Sequence, residues 1–281
     1  MASYAIRKFK DRVAFGLGLL CVIVAIIPLG HILVEVARNG FPALSLEFLT
    51  QPPGAIGERE GGVANAIEGT LILIGLTCVI GVPLGVMSGI YLAEFGGNRF
   101  GNVIRFFNDV LTGFPSIVVG IFVYSVVVLA MGSFSAIAGA VALSIIMLPI
   151  VARTTEESIK LVPNSIREAA MALGVRRWRT IVNVVLSASR SGIVTGIMLS
   201  IARIAGETAP LIMTILGSQW FFAGLNAPMD ALPLRVWRLA LLPYDYAHQQ
   251  GWGAALILIL LVLTLNLGVR YATRGKYRMV R

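Results

Sequence analysis

Charged residues are absent from several long stretches of this chain, and those stretches limit what it can fold into. A bilayer core about 30 Å thick needs about 20 helical residues, because an α-helix rises about 1.5 Å per residue. The stretch after Arg12 contains 22 uncharged residues, and the stretch after Glu68 contains 25. From Val110 to Ala152 there are 43, enough for two crossings with a turn near residues 131–133. Two further stretches cover residues 191–216, interrupted by two charges, and residues 246–269. The sequence therefore predicts an all-α integral membrane protein with six transmembrane helices.

The composition supports this interpretation. Apolar residues make up 57% of the 281 residues and charged residues only 13%, and the mean hydropathy is +0.84. These values exclude a disordered chain and are unlike those of a soluble domain. Two cysteines cannot form a disulfide framework. Because Cys21 and Cys78 both lie in apolar stretches, we expect two packed thiols.

Lysine and arginine are distributed unequally among the segments that join the predicted helices. Eighteen of the 23 lie in the N-terminus, the second-to-third connection, residues 153–190 and the C-terminus. The positive-inside rule places these four segments, and therefore both termini, in the cytoplasm. The net charge of +9 then reflects orientation in the membrane. No compact basic domain indicates a nucleic-acid partner.

The connection formed by residues 153–190 is the longest one predicted to be cytoplasmic. Thr154 with Glu157 fits a capping box, and Pro163 would stop the helix that it opens. A second capping box, Ser165 with Glu168, predicts a helix over residues 166–173 that ends at Gly174. Spacing alone leaves two interpretations open, a loop packed on its own chain and a helix presented to another protein.

One motif in this connection resembles a known family. Glu168-Ala169-Ala170 followed by Gly174 is similar to the EAA loop of ABC-importer permeases, although Ser187 stands where the family has proline. The resemblance implies that Glu168, Ala169, Ala170 and Gly174 dock on a separate ATPase subunit. It also implies the type I ABC-importer permease fold in a bacterial cytoplasmic (inner) membrane.

Two further segments narrow the resemblance to phosphate-importer permeases. They are Ala202-Arg203-Ile204-Ala205-Gly206-Glu207-Thr208-Ala209-Pro210-Leu211 and Thr112-Gly113-Phe114-Pro115-Ser116-Ile117-Val118-Val119-Gly120. The resemblance divides the chain into residues 1–60, with the first transmembrane helix, and a permease core over residues 61–281. It implies that Arg203, Glu207 and Thr208 line the path of inorganic phosphate.

The residues themselves leave the role of Arg203 and Glu207 open. Either charge at the bilayer centre costs about 2.5–3.5 kcal/mol on insertion scales, so both are expected to have partners. Their i, i+4 spacing puts them on one face of the predicted fifth helix. They are therefore either a structural ion pair or a phosphate-binding arginine with a carboxylate that prevents tight retention. Pro115 is expected to kink the third helix. Metal binding is not indicated, because His31 and His248 are isolated.

The sequence indicates a transport subunit that does not itself catalyse a reaction. No Gly-x-x-x-x-Gly-Lys-Ser/Thr loop occurs in the chain, so we expect no cofactor here and ATP with Mg²⁺ on a partner ATPase. The resemblance implies a second permease subunit, two ATPase subunits and a periplasmic phosphate-binding protein as partners, besides membrane lipid. The alternatives are a permease for sulfate or molybdate, a secondary transporter and a membrane-embedded enzyme. Outside the membrane, a short helix is expected near residues 234–241.

Overall fold

The computed structural model describes residues 4–55 and 60–274. Over these residues the chain is helical, apart from two isolated β-bridges. The α-helices in chain order are α1 (Tyr4–Gly40), α2 (Leu46–Thr50), α3 (Ala64–Glu94), α4 (Arg99–Gly113), α5 (Ser116–Val123), α6 (Leu129–Met131), α7 (Ala136–Lys160), α8 (Asn164–Ala172), α9 (Arg177–Arg179), α10 (Leu186–Ala205), α11 (Ala209–Thr214), α12 (Leu232–Leu241) and α13 (Asp245–Arg274). Two π-helical segments, Tyr124–Val128 and Thr180–Val185, continue α5 into α6 and α9 into α10. The C-terminal basic residues beyond Arg274, used above for orientation, lie outside the described residues.

The predicted transmembrane helices are confirmed as five long helices and one bent pair. Among the described residues, α1, α3, α7, the continuous helix Arg177–Ala205 and α13 are long and apolar enough to cross a membrane. The sixth candidate is α4 together with Ser116–Met131, whose axes differ by 105°, an angle that fits either one broken span or a re-entrant segment. The turn expected near residues 131–133 is present, since α6 ends at Gly132 with φ of +66°.

Two of the helices differ from the simplest prediction. The helix that contains the fifth predicted span begins at Arg177, before the uncharged stretch that follows Arg190, and arginine side chains near its start can extend to the membrane surface. The third helix does not continue through Pro115 with a kink but is broken there. Pro115 has no N–H to donate and disfavours helical geometry at Phe114, which has ψ of 136°.

Helix α7 is the centre of the bundle and packs between α3 and α10. Gly81, Gly85 and Gly89 recur every four residues along α3 and form a strip of small residues facing α7. A Cβ atom on Gly85 would lie 2.7 Å from Val151 Cβ, and one on Gly89 would lie 2.5 Å from Thr155 Cβ. The close approach of these helices therefore depends on the absence of side chains at the glycines. The spacing was visible in the sequence but was not used above.

The core is extended by contacts around α7. Leu73 of α3, Leu143 and Met147 of α7, and Leu211 and Ile215 around α11 belong to one buried cluster. This cluster fixes α11 beside α7 and α5. The end of the bundle that carries α8 is called the α8 end, and the end that carries α12 is called the α12 end. The expected short helix near residues 234–241 is present as α12.

Several helices of the described chain present apolar faces that it does not cover, among them α1 and α5. In α1, every residue of the most apolar stretch lies outside the core. Cys21 in this helix is exposed, so the prediction of a packed thiol there was wrong. In α5, Ile117, Ile121 and Phe122 are exposed. Cys78 of α3 is half-buried and packs against the main core cluster, as expected.

Candidate functional site

The segment that contains Arg203 and Glu207 is a break between two helices. Helix α10 ends at Ala205, and the Gly206 amide N–H donates to the Arg203 carbonyl. Glu207 lies in the break, and Thr208 precedes the first turn of α11, where Pro210 is accommodated because its missing N–H has no helical acceptor there. Arg203 and Glu207 are therefore not on one face of an unbroken helix, and that prediction was wrong. Glycine at 206 and proline at 210 both disfavour a helix interior, which accounts for the break.

The Arg203 side chain extends away from the packed core. Its Nε atom lies 3.8 Å from Glu207 Oε1, which is an ion-pair contact but too long for a hydrogen bond. The Arg203 side chain is 53% exposed in the single chain, whereas that of Glu207 is 15% exposed. Thr208 is half-buried beside them. The guanidinium is consequently held loosely by its own chain and keeps donors for a group outside it.

The short helices that follow the two breaks pack against each other. Pro210 of α11 packs directly on α5, so closely that a Cβ atom on Gly120 would lie 2.7 Å from Pro210 Cα. Gly120 and Pro210 belong to the two segments quoted above, residues 112–120 and 202–211. Segments that are about 90 residues apart in the sequence thus meet in space, at the middle of α5 and the first turn of α11.

Helix α8 is the short helix predicted within the connection 153–190. It spans Asn164–Ala172, and the chain turns at Gly174. The φ of +82° at Gly174, and the hydrogen bond from its amide N–H to the Met171 carbonyl oxygen, fit the predicted C-terminal glycine. Glu168 and Ala169 are exposed, whereas Ala170 is buried against its own chain. The helix therefore presents Glu168 and Ala169 outward and uses Ala170 for internal packing.

Neither predicted capping box forms. Thr154 lies inside α7, which continues to Lys160, and its hydroxyl donates to the Ile150 carbonyl. Ser165 is the second residue of α8 and does not cap it, because Pro163 occupies the capping position. Within α7 the Thr154 hydroxyl donates to a carbonyl of the preceding turn, and the amide N–H groups that follow it donate within the helix, so none is free to donate to a capping side chain.

A buried ion pair anchors α8 to the end of α3. The Arg167 Nε donates to Glu94 Oε1 over 3.0 Å, and Arg167 also donates to the carbonyl oxygens of Ile159 and Val162 at the end of α7. A second arginine, Arg177, donates to the Glu94 carbonyl oxygen. From the sequence, these arginines indicate only orientation in the membrane. Their partners are 73 and 83 residues away, so no local pattern indicated the contacts.

A second buried carboxylate lies nearby in α7. Glu156 accepts from Arg105 Nε over 2.8 Å and from Lys160 over 2.5 Å, and its side chain is 2% exposed. Arg105 also donates to the carbonyl oxygens of Leu92 and Gly96, which satisfies the end of α3. This arrangement ties α4 to both α3 and α7.

Polar groups at the α12 end join the connection after α11 to the start of α3. Asp230 and Arg235 form a buried ion pair, and Arg235 and Asn65 both donate to the Ser218 carbonyl oxygen. Burial raises the pKa of the Asp230 carboxyl, an effect that the charge of Arg235 opposes. Among residues 4–55 and 60–274, no three His, Cys, Asp or Glu side chains are grouped as metal ligands.

The described residues form a bundle of long apolar helices with two interrupted helices and an exposed short helix, α8, in one connection. The chain belongs to the family of binding-protein-dependent transport system inner membrane components, whose family model matches residues 81–275. It is thus a multi-pass protein of the inner membrane.

Relatives that match nearly the whole chain carry a more specific name. The phosphate transport system permease protein PstA of Yersinia pestis is 46% identical over 268 residues, which cover 94% of this chain and 90% of the relative. That of Haemophilus influenzae is 42% identical and covers 94% of each chain. The probable PstA protein of Methanocaldococcus jannaschii is 36% identical, with 98% of this chain and 97% of the relative covered.

Solved structures confirm the fold. A chain of a bacterial alginate ABC transporter, in complex with an alginate pentasaccharide-bound periplasmic protein, superposes with a TM-score of 0.69 at 14% identity, covering 96% of both chains. A chain of the inward-facing MetNI methionine ABC transporter gives a TM-score of 0.60 at 17% identity, covering 77% of this chain and 95% of that one. The expected ABC-importer permease fold is therefore correct.

Proposed function

We propose that this protein is the permease subunit of an ATP-driven ABC importer of inorganic phosphate, analogous to PstA. The observation that carries the proposal is the packing of α5 on α11, which brings residues 112–120 and 202–211 together. The second of these segments contains Arg203, which its own chain leaves half-exposed. The names of the relatives support phosphate as the transported ion. The α8 end, which carries most of the basic residues of the connections, is cytoplasmic in this proposal, as are both termini.

Arg203 is the proposed phosphate contact. Its planar guanidinium can donate two parallel hydrogen bonds to phosphate oxygens. Glu207, 3.8 Å from Arg203 Nε, partly neutralises the arginine and keeps the anion from being held too tightly to leave. Thr208 lies in the same break and offers a hydroxyl to the path. A transit site needs this balance, because an ion that binds too strongly is not released.

Helix α8 is the proposed docking element for the ATPase. Glu168 and Ala169 form the exposed surface, while Ala170 and Gly174 set the helix against its own chain and turn the backbone after it. ATP and Mg²⁺ would bind to a dimer of PstB-like ATPase subunits, so this chain is not itself an enzyme. A PstC-like permease would complete the path and cover the apolar face of α5, and a PstS-like binding protein would deliver phosphate at the α12 end.

The experiment measures labelled phosphate uptake by vesicles that contain the assembled complex, with and without ATP, and with sulfate or molybdate in excess. Arg203→Gln is expected to abolish most uptake while the complex still assembles. Arg190→Gln is the matched control, since Arg190 is an exposed arginine on the same helix. Uptake at the wild-type rate by Arg203→Gln would contradict the proposed phosphate contact. Full competition by sulfate or molybdate would show that the complex carries a different oxyanion, and uptake without ATP would contradict ATP coupling.

A further inference from the structure

The contact between α8 and α3 is made by side chains that the proposed docking surface does not use. Arg167 immediately precedes Glu168, but its side chain points inward and is 16% exposed, whereas Glu168 is exposed. Its partner Glu94 is the last residue of α3 and is 8% exposed. An ion pair with this degree of burial is weakly screened by water, so the two helix ends are held firmly.

Arg167 connects three helix ends at once. Besides Glu94 at the end of α3, it donates over 3.0 Å to the carbonyl oxygen of Ile159 in the last turn of α7. That carbonyl also accepts from the Val162 amide N–H just after α7, so Arg167 is a second donor to it. A planar guanidinium can hold a carboxylate and a carbonyl in fixed directions, which a single-point donor cannot do.

Glu94 is also linked to the helix that leads to the proposed phosphate contact. Its backbone carbonyl accepts a hydrogen bond of 3.0 Å from Arg177, and the Arg177 guanidinium lies over the Phe95 ring at 4.8 Å from the centroid. Arg177 begins the continuous helix Arg177–Ala205, whose other end is the break beside Arg203. Glu94 therefore contacts α8 through its side chain and the start of this helix through its backbone.

We propose that Arg167 and Glu94 are positioning residues that transmit displacement of α8 to α3 and to the helix Arg177–Ala205. The proposal rests on the proposed function, in which a partner ATPase moves α8. On either side of α8 the chain is a short connection, Leu161–Pro163 before it and Leu173–Arg176 after it. The ion pair supplies a lateral link to α3 that these connections do not. The competing route is direct packing of α8 on the segment Thr180–Val185.

The test uses the complete reconstituted complex and measures the number of phosphate ions taken up per ATP hydrolysed. Glu94→Gln removes the charge with little change in volume, and about a tenfold fall in this ratio is expected, with ATP hydrolysis continuing on the partner subunits. The exchange Glu94→Arg with Arg167→Glu restores the ion pair and is expected to recover part of the ratio. Glu157→Gln is the control, because Glu157 pairs with Arg153 over 2.7 Å at the surface, with both side chains more than half exposed.

The outcomes separate this inference from the proposed function. A wild-type complex without ATP-dependent phosphate uptake overturns both. A wild-type complex that transports, with the same ratio in Glu94→Gln, overturns only the transmitting role, as does an equal fall in Glu157→Gln. Should Glu94→Gln fail to assemble, Arg167→Lys provides the measurement, since lysine keeps the charge but lacks the fork. A ratio in Arg167→Lys about two- to fivefold below wild type supports the proposal, and an unchanged ratio overturns it.

Discussion

Replacing Gly89 by alanine would place a methyl group in the closest part of the α3–α7 interface. Its Cβ atom would lie 2.5 Å from Thr155 Cβ and 2.6 Å from the Ala152 carbonyl oxygen. Carbon atoms in contact are normally about 3.5–4.0 Å apart, so the shortfall is about 1 Å. Because the Ala152 carbonyl is backbone, a rotamer change cannot relieve the overlap, and the two helices must separate.

The expected cost follows from two opposing effects. Forcing an extra methyl group into a packed interface costs about 1–3 kcal/mol. Replacing glycine by alanine inside a helix gains up to about 1 kcal/mol. Two contacts near 2.5 Å, one of them with backbone, put the cost in the upper part of that range, about 2–3 kcal/mol. Less the gain of about 1 kcal/mol, the net loss for Gly89→Ala is about 1–2 kcal/mol, or a melting temperature lower by about 3–6 °C. Gly75→Ala is the matched control on the same helix, since a Cβ atom there meets nothing within 4 Å. It is expected to be neutral or slightly stabilising.

The two cysteines allow a direct assay of this prediction. In a Cys21→Ala background, half-buried Cys78 of α3 is the remaining thiol, and its reaction with a thiol-specific fluorophore on heating reports the opening of the bundle. The melting temperature of the purified full chain in detergent would be compared for Gly89→Ala and Gly75→Ala. If Gly89→Ala melts at or above Gly75→Ala, α3 and α7 do not pack through this glycine strip.

Further expected outcomes concern the connections at both ends. Arg105→Gln leaves buried Glu156 with one fewer cation, and we expect a loss of about 2 kcal/mol of stability in the same assay. Breaking a fully buried pair costs about 3–5 kcal/mol, and the loss here is smaller because the Arg105 side chain is a quarter exposed. Gly174→Ala places a side chain at φ of +82°, which costs about 1–3 kcal/mol of backbone strain. This strain should disorder the turn after α8 and lower ATP-dependent uptake, while the amount of assembled complex stays the same. Burial raises the pKa of Asp230 above its ordinary value of 3.8. The stability contributed by the protonated carboxyl is therefore fully present below pH 3.8 and is lost as the pH rises through the raised pKa. The melting temperature of wild type relative to Asp230→Asn should fall as the pH is raised from about 4, and a constant difference would contradict the shift.

The charge pattern predicted the number of crossings because a bilayer penalises charge at every position of a span. The same rule does not locate the start of the fifth helix, which begins at Arg177 before the uncharged stretch. Uncharged length also does not show whether a helix is continuous. Residues 191–216 were predicted as one span, but the helix ends after Ala205. Gly206 and Pro210 both disfavour a helix interior, and only their combined cost predicts this break.

Long-range polar contacts were beyond prediction from the sequence. Gly174 was predicted correctly because its φ of +82° is a local property of the turn that ends α8. Glu94 and Arg167 are 73 residues apart, and their pairing follows only once α3 and α7 run side by side. The glycine strip of α3, Gly81, Gly85 and Gly89, is an intermediate case. Its four-residue spacing can be recognised in the sequence, but the helix that packs on it cannot.

The backbone breaks themselves favour an aqueous path over a surface that faces lipid. Within a bilayer, interrupted backbone is tolerated where it is covered by protein or lines water, because an N–H or C=O without a partner is costly in hydrocarbon. Each break, at Phe114–Pro115 and at Gly206–Thr208, immediately precedes one of two short helices, α5 and α11, that pack together. Arg203 at the end of α10 is half-exposed in the single chain, and a charged side chain in that position is more stable facing water or a second permease than facing lipid. The packing of these two interrupted segments, and not the arginine alone, is the physical reason to place the phosphate path there.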